Sequence, residues 1–234
     1  MGENFVLKIG GSVMYDNSLN INEALLGKVK NWYMGERKNY KNVAMVVGGG
    51  SLSRNMQEKI AGSVGGEESL HNIAMSVTQT NAAVLQGYLD DMDIFLPKKL
   101  GDAYEFLMEE NQKTLLSGGL KIGWSTDMDA AIYADILEVK IVYKISNVEF
   151  LYEADPKTEV NARPILDISW EEYFKLFNIV DGDNHVANKS IPIDVNCAQF
   201  CAKKGISFFL CGGKYIQEKG NIQEILKEGT LIHP

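Results

Sequence analysis

Four short apolar runs in this chain end on glycine. Phe5–Ile9 (FVLKI) runs into Gly10-Gly11, and Asn42–Val47 (NVAMVV) into Gly48-Gly49-Gly50. Thr114-Leu115-Leu116 reaches Gly118-Gly119, and Ser207–Leu210 reaches Gly212-Gly213. Apolar runs this short, stopped by glycine, read as buried strands that turn sharply at their carboxyl ends. The segments between them carry apolar residues at helical spacing. These predict helices over Asn22–Tyr33, Ser51–Ala61, His71–Leu89, Asp102–Glu110, Met128–Leu137 and Ile193–Lys204. Two further strands are expected at Ile94–Leu96 and Lys140–Ile145. Strands alternating with helices imply an α/β fold with a mainly parallel sheet covered on both faces. In such folds the functional crevice lies at the carboxyl ends of the strands, where these glycines sit.

With 234 residues the chain is long enough for one large α/β domain. We expect one domain with two functional halves, joined near Glu110–Lys113. The second half also carries a clear helix start at Ser169: its hydroxyl can cap, and Glu172 completes a capping box. Gly205 fits the position just past the last predicted helix.

Acidic residues number 31 against 23 basic ones, a net charge of −8. That balance disfavours a general nucleic-acid binder, which needs a basic surface to replace phosphate counterions. The 3 cysteines are widely spaced and the 3 histidines form no metal-ligand pattern, so no structural metal site is expected. The odd cysteine count and the lack of a signal-like leader imply a reducing, cytoplasmic compartment. The apolar runs are too short to span a bilayer, so no membrane partner is expected.

Glycine turns let a backbone approach a ligand closely, and successive N–H groups in them bind phosphate oxygens. A tight strand-to-helix turn needs glycine in any case, so one such turn says little; three at one sheet edge say more. No turn reads GxxxxGK[ST] and none reads GxGxxG, so neither a P-loop nor a Rossmann dinucleotide site is expected. Lys8 interrupts an otherwise apolar strand just before its glycines. A lysine there either snorkels to water or reaches along the crevice to neutralise a phosphoryl group. Burying it unpaired is costly. Asp127 is its natural partner, although an Asp after Ser125-Thr126 also reads as a helix cap. Asn147, Tyr152, Asp155 and Lys157 share one polar loop stiffened by Pro156, which reads either as a nucleotide loop or as a solvated turn.

In order, the chain carries KIGGS, VVGGGSLSR, STD entering a helix, SNVEFLYEADPK and a closing EGTLI. Together these resemble the amino acid kinase superfamily over nearly the whole chain, and within it uridylate (UMP) kinases most. The resemblance implies a three-layer α/β/α fold that transfers the ATP γ-phosphoryl group to UMP, with Mg²⁺. The acceptor would lie on about residues 1–112 and ATP on about 113–234. By resemblance, Lys8, Asp127 and Lys157 carry the chemistry, and Gly10, Gly11, Ser12, Asn147, Tyr152 and Asp155 face ATP. Gly49, Gly50, Arg54 and Thr126 face the acceptor. The family also implies small-molecule substrates and a homo-oligomer built from dimers, up to hexamers, with the surface around Ala24–Trp32 as a contact.

The chain departs from the uridylate kinase pattern in places. His71 and Ala74 replace an expected Asp and Gly, Glu149 and Phe150 replace Asp-Gly in the nucleotide loop, and Trp124 precedes the Ser-Thr-Asp step. Two other readings therefore stand beside UMP phosphorylation. One is a kinase for another small phosphate or carboxylate acceptor. The other is an ATP-binding oxyanion binder like the molybdenum storage proteins, which share a Pro-x-Asp such as Pro192–Asp194.

Overall fold

The computed structural model describes residues 3–16, 18–109, 113–154, 159, 161–180, 191–213, 222 and 227–234. Asp155, Lys157 and the loop expected at Asp181–Asn184 lie outside the described residues. The first half builds β1 (Glu3–Ile9), a one-turn α1 (Gly11–Met14), α2 (Glu23–Glu36), β2 (Tyr40–Val47), α3 (Gly50–Ile60), α4 (Glu67–Leu89), α5 (Leu100–Met108) and β3 (Lys113–Ser117). The second builds α6 (Thr126–Ile136), β4 (Ile141–Ser146), β5 (Leu151–Tyr152), β6 (Pro164–Ile165), β7 (Asp167–Ser169), α7 (Trp170–Leu176), α8 (Val195–Lys204), β8 (Ser207–Gly212) and β9 (Thr230–His233).

Seven strands form one sheet in the order β3-β2-β1-β4-β8-β9-β7. All described neighbours are parallel except β8 and β9. The α/β expectation holds. The chain builds outward from β1 through β2 to β3, then crosses back over α6 and builds outward through β4. The strand order thus reverses between β1 and β4, and a crevice opens at such a reversal. β3 pairs with β2, although it comes after the expected junction at residues 110–113.

Strand parity decides what points where. On β1, Phe5, Leu7 and Ile9 enter the apolar layer under α2 and α4, while Val6 enters the layer under α6 and α8. Lys8 shares a face with Val6, two residues on, and so faces α6. On β4, Val142 and Lys144 face α6 in the same way, and Ile145 enters the opposite layer. Helix α6 is covered on nearly all sides: Ala130, Ala131, Tyr133 and Ala134 are fully buried.

Several local expectations shift. Ile94–Leu96 forms only a single bridge, Phe95 to Leu115, because no partner extends it. α4 starts four residues early, at Glu67, after Gly66 with φ +80°. Ser169 does close a capping box with Glu172, and Gly205 ends α8 with φ +67°. On α2, Leu25, Leu26, Val29 and Trp32 are buried within the chain, so the apolar face of that segment already packs on its own sheet. No helix among the described residues is long and apolar enough to cross a membrane. Cys197, Cys201 and Cys211 are free and buried.

Candidate active site

β1 and β4 lie side by side, and their register sets Lys8 opposite Lys144. Both ammonium groups point under α6, and both meet one carboxylate. Lys8 Nζ lies 3.0 Å from Asp127 Oδ1, and Lys144 Nζ donates to Asp127 Oδ2. All three residues are buried, with 5–7 % of their surface exposed. Lys144 also donates to the carbonyl of Pro192. Burial works against the Asp127 carboxylate, but Lys144 and Lys8 outweigh it and hold its pKa below the usual range. Burial lowers the pKa of Lys8; Asp127 opposes that and Lys144 reinforces it. Two cations share one anion, so the group carries a net charge of +1 in a dry place. Such a surplus attracts a further anion strongly, because little water screens it.

The linear pattern alone does not single out Lys144, though it carries a signal. Val142-Tyr143-Lys144-Ile145-Ser146 repeats the pattern of Val6-Leu7-Lys8-Ile9-Gly10. Lysine is one residue from the end of an apolar run in both. Only the pairing of the two strands brings them together.

Asp127 is held by the start of α6. Ser125 is the cap: its hydroxyl accepts from Met128 N at 3.1 Å and donates to Asp194 Oδ2. Asp194 in turn caps α8 by accepting from Cys197 N at 3.1 Å. One serine and one aspartate therefore fix two helix starts against each other, beside the Pro192 carbonyl that holds Lys144.

The first two glycine turns touch backbone to backbone. A Cβ on Gly11 would lie 2.3 Å from the Gly48 carbonyl oxygen, and one on Gly50, at φ +61°, would lie 2.1 Å from the Gly11 carbonyl carbon. No side chain fits at either position. A Cβ on Gly48 would come within 3.4 Å of both Lys8 Nζ and Thr126 Oγ1, so the lysine pair sits directly behind these turns. The amides of Gly10 and Gly48 are bonded to Ile145 O and Ile9 O. The start of α3 leaves its first N–H groups directed outward, as any helix start does. The third turn differs. Gly119 N donates to Thr78 Oγ1 at 2.7 Å, so this amide is occupied by α4.

A cavity of about 330 Å³ opens beside the triad. Gly49, Gly50, Arg54 and Thr126, the four expected acceptor residues, all line it. His71, Ala74 and Trp124, expected from the resemblance to be departures, line it too. The ammonium of Lys121 stands 4.0 Å over the Trp124 ring.

On the other side of the crevice, Ser12 is half-buried at the start of α1. Asn147 is exposed after β4, and Tyr152 is half-buried in the β5–β6 hairpin. Phe150 meets Tyr152 edge to face, with ring centroids 6.5 Å apart. Glu149 lies flat on Gly212, where a Cβ would come within 2.6 Å of its Cγ. The closing EGTLI segment anchors this hairpin: buried Thr230 accepts from Leu151 N at 2.9 Å and donates to Ile165 O. Among the described residues, no group of three or more His, Cys, Asp or Glu could hold a metal ion.

Residues 3–212 match the model of the amino acid kinase family. The chain is 26% identical to a uridylate kinase of Pyrococcus abyssi over 231 residues, 98% of this chain and 99% of that one. It is 28% identical to one of Thermococcus sibiricus over 193 residues, 82% and 84% of the two chains. Among solved structures, uridylate kinase from Archaeoglobus fulgidus superposes with a TM-score of 0.74 at 23% identity, covering 98% of this chain and 99% of that one. UMP kinase from Ureaplasma parvum superposes with a TM-score of 0.76 at 19% identity over the whole of both chains. At those identities the structures speak for the fold alone. The family match covers most of the chain and includes both lysine strands, both touching glycine turns and the helix that carries Asp127: the chain belongs to the amino acid kinase family.

Proposed function

We propose that this protein transfers the γ-phosphoryl group of ATP to UMP, giving UDP and ADP. The observation that carries this reading is the buried surplus of positive charge at Lys8, Asp127 and Lys144, set behind two touching glycine turns and beside a cavity lined by Arg54 and Thr126. The relatives that match nearly the whole chain are uridylate kinases, which supports UMP over other small acceptors.

An oxygen of the acceptor phosphate forms a new bond to the γ-phosphorus, and the bond from that phosphorus to the β–γ bridging oxygen breaks. The attacking phosphate is already anionic, so no general base is needed. The protein's work is to align the two phosphates and neutralise the charge spreading over the transferring group. Lys8 and Lys144 supply that charge, and Asp127 keeps both ammonium groups in place. The α3 start at Gly49-Gly50, with Arg54, holds the acceptor phosphate, because helix starts attract anions. Thr126 contacts the acceptor. Gly10, Gly11 and Ser12 face the γ-phosphate, and Asn147 and Tyr152 flank the ATP nucleoside. Asp155 and Lys157 keep the roles the resemblance gives them. The two halves of the sheet then serve acceptor and ATP respectively. With no three-ligand cluster among the described residues, Mg²⁺ would be carried chiefly by the ATP phosphates, its usual mode at such sites. It would supply further charge neutralisation there.

The test is ADP release with UMP, CMP, other small phosphates or no acceptor. UMP is expected to give the highest kcat/KM. Tight ATP binding with no turnover on any acceptor sinks the kinase reading, and a preference for a non-nucleotide phosphate sinks UMP.

A further inference from the structure

Two carboxylates are buried among the described residues, Asp127 and Asp129. Asp129 is fully buried, and neither of its oxygens has a hydrogen-bond partner. Buried polar groups are almost always satisfied, so such an exception calls for a reason. Its surroundings supply one. Asp129 Oδ2 lies beside Gly119, where a Cβ would come within 3.8 Å of it. Gly118 packs on the backbone of α4, where a Cβ would lie 2.3 Å from the Thr78 carbonyl carbon. Gly119 is tied to α4 twice, through Thr78 Oγ1 and through Gln79 Nε2 at 3.2 Å from its carbonyl. Gly119, Thr78 and Met75 also line the acceptor cavity. This turn is therefore a thin wall, with the acceptor cavity outside and the Asp129 carboxyl inside.

We propose that Asp129 is a positioning residue for the acceptor: its proton keeps the inner side of this wall neutral, and loss of that proton weakens binding of the acceptor phosphate outside. Two like charges separated by one layer of backbone in a dry setting repel far more than in water. Burial pushes this carboxyl up to about 7; the nearby Leu120 amide favours the charged form without reaching hydrogen-bond geometry, and Asp127 disfavours it. The group therefore changes charge near neutrality.

The surrounding groups leave it alone in doing so. On its own helix stand Asp127 and, one turn on, Tyr133, whose pKa burial raises. Lys8 and Lys144 come from β1 and β4 and are committed to Asp127. α8 brings Cys197, whose pKa burial raises well above the ordinary thiol value, so it stays neutral. α5 turns Tyr104 and Glu105 to solvent. α4 brings Thr78 and Gln79, which are uncharged, and Lys121 in the wall stands over Trp124.

The inference rests on this cavity being the acceptor site. At pH 8 the UMP phosphate, with its second pKa about 6, is already a dianion. Calorimetry of UMP binding to the wild-type enzyme at that pH, in buffers of differing ionisation enthalpy, is expected to show uptake of a fraction of a proton. Asp129→Asn should show no uptake. KM for UMP should rise about fivefold between pH 7 and 9 in the wild type, as for a coupling of one pKa unit, and stay flat in Asp129→Asn, with one shared kcat profile. Absence of proton uptake by the wild type overturns the proposal even if the variant does not fold. So does an Asp129→Asn curve that tracks the wild type. Failure of UMP to bind at any pH instead overturns the acceptor assignment, and the coupling with it.

Discussion

Asp127 and Asp129 stand two residues apart on one helix, both out of water, and end in opposite states. Asp127 meets two ammonium groups and is held as a carboxylate. Asp129 meets none and holds its proton to about neutrality. Burial is common to both, so partnership alone decides the charge. The helix thus presents a fixed anion toward β1 and β4 and a titrating group toward the glycine wall.

The largest blow to this contrast is removal of Asp127. Asp127→Ala leaves two buried ammonium groups with no anion between them, and should cost about 3–5 kcal/mol of stability in urea unfolding. Asp127→Asn keeps the shape, and its kcat should fall by about 10²-fold or more. Turnover near the wild type would mean that the carboxylate does not organise the lysines. Lys144→Met leaves a neutral Lys8–Asp127 pair and removes the surplus charge. It should lower kcat by roughly 10²–10³-fold with a smaller change in KM for ATP; an effect confined to KM would make Lys144 a binding group only.

The two acids should also pull stability in opposite directions with pH. Asp129 has its folded pKa raised from 3.8 to about 7, so its cost is absent below 3.8, grows as pH rises and is complete above 7. Asp129→Asn should therefore stabilise the protein at pH 8 by roughly 2–4 kcal/mol and change little at pH 4. Asp127 has its folded pKa lowered, so its contribution is full above 3.8 and is lost as pH falls through the lower folded value. Unfolding of Asp129→Asn and the wild type across pH 4–8 checks the first sign, and unfolding of Asp127→Asn and the wild type as pH falls below 3.8 checks the second. The smallest effect belongs to the helix start: Ser125→Ala should cost about 1 kcal/mol, read as a shift in the urea midpoint.

Much of the frame was legible because it is local. Apolar runs stopped by glycine located β1, β2 and β3, and a lone lysine before glycines marked Lys8. The serine and glycine signals at Ser169 and Gly205 located their helix ends. Lys144 escaped because its meaning depends on which strand lies beside β1, and parallel neighbours come from distant parts of the chain. Asp129 escaped for another reason. Residues two apart on a helix point to nearly opposite sides, so a second acid reads as solvent-facing unless the helix is covered all round. The small residues of DAAIYAD hint at such a helix, but only its contacts with β1, β2, β4 and α8 establish it. The glycines carried two meanings at once. Gly11 and Gly50 are required by the contact between the turns, whatever else they do.

That contact also bears on how such a protein changes its substrate over evolutionary time. Gly11 and Gly50 admit no side chain, and Lys8 and Asp127 are locked behind them, so this wall of the cavity is closed to innovation. The opposite wall, formed by α4 and the stretch around Trp124, has no such constraint at His71, which is exposed, or at Ala74. The residues that the resemblance to uridylate kinases marks as departures, His71, Ala74 and Trp124, all stand on that free wall. New acceptor preferences in this fold should arise by rewriting α4 and the segment before α6, while the phosphate end of the site stays as it is.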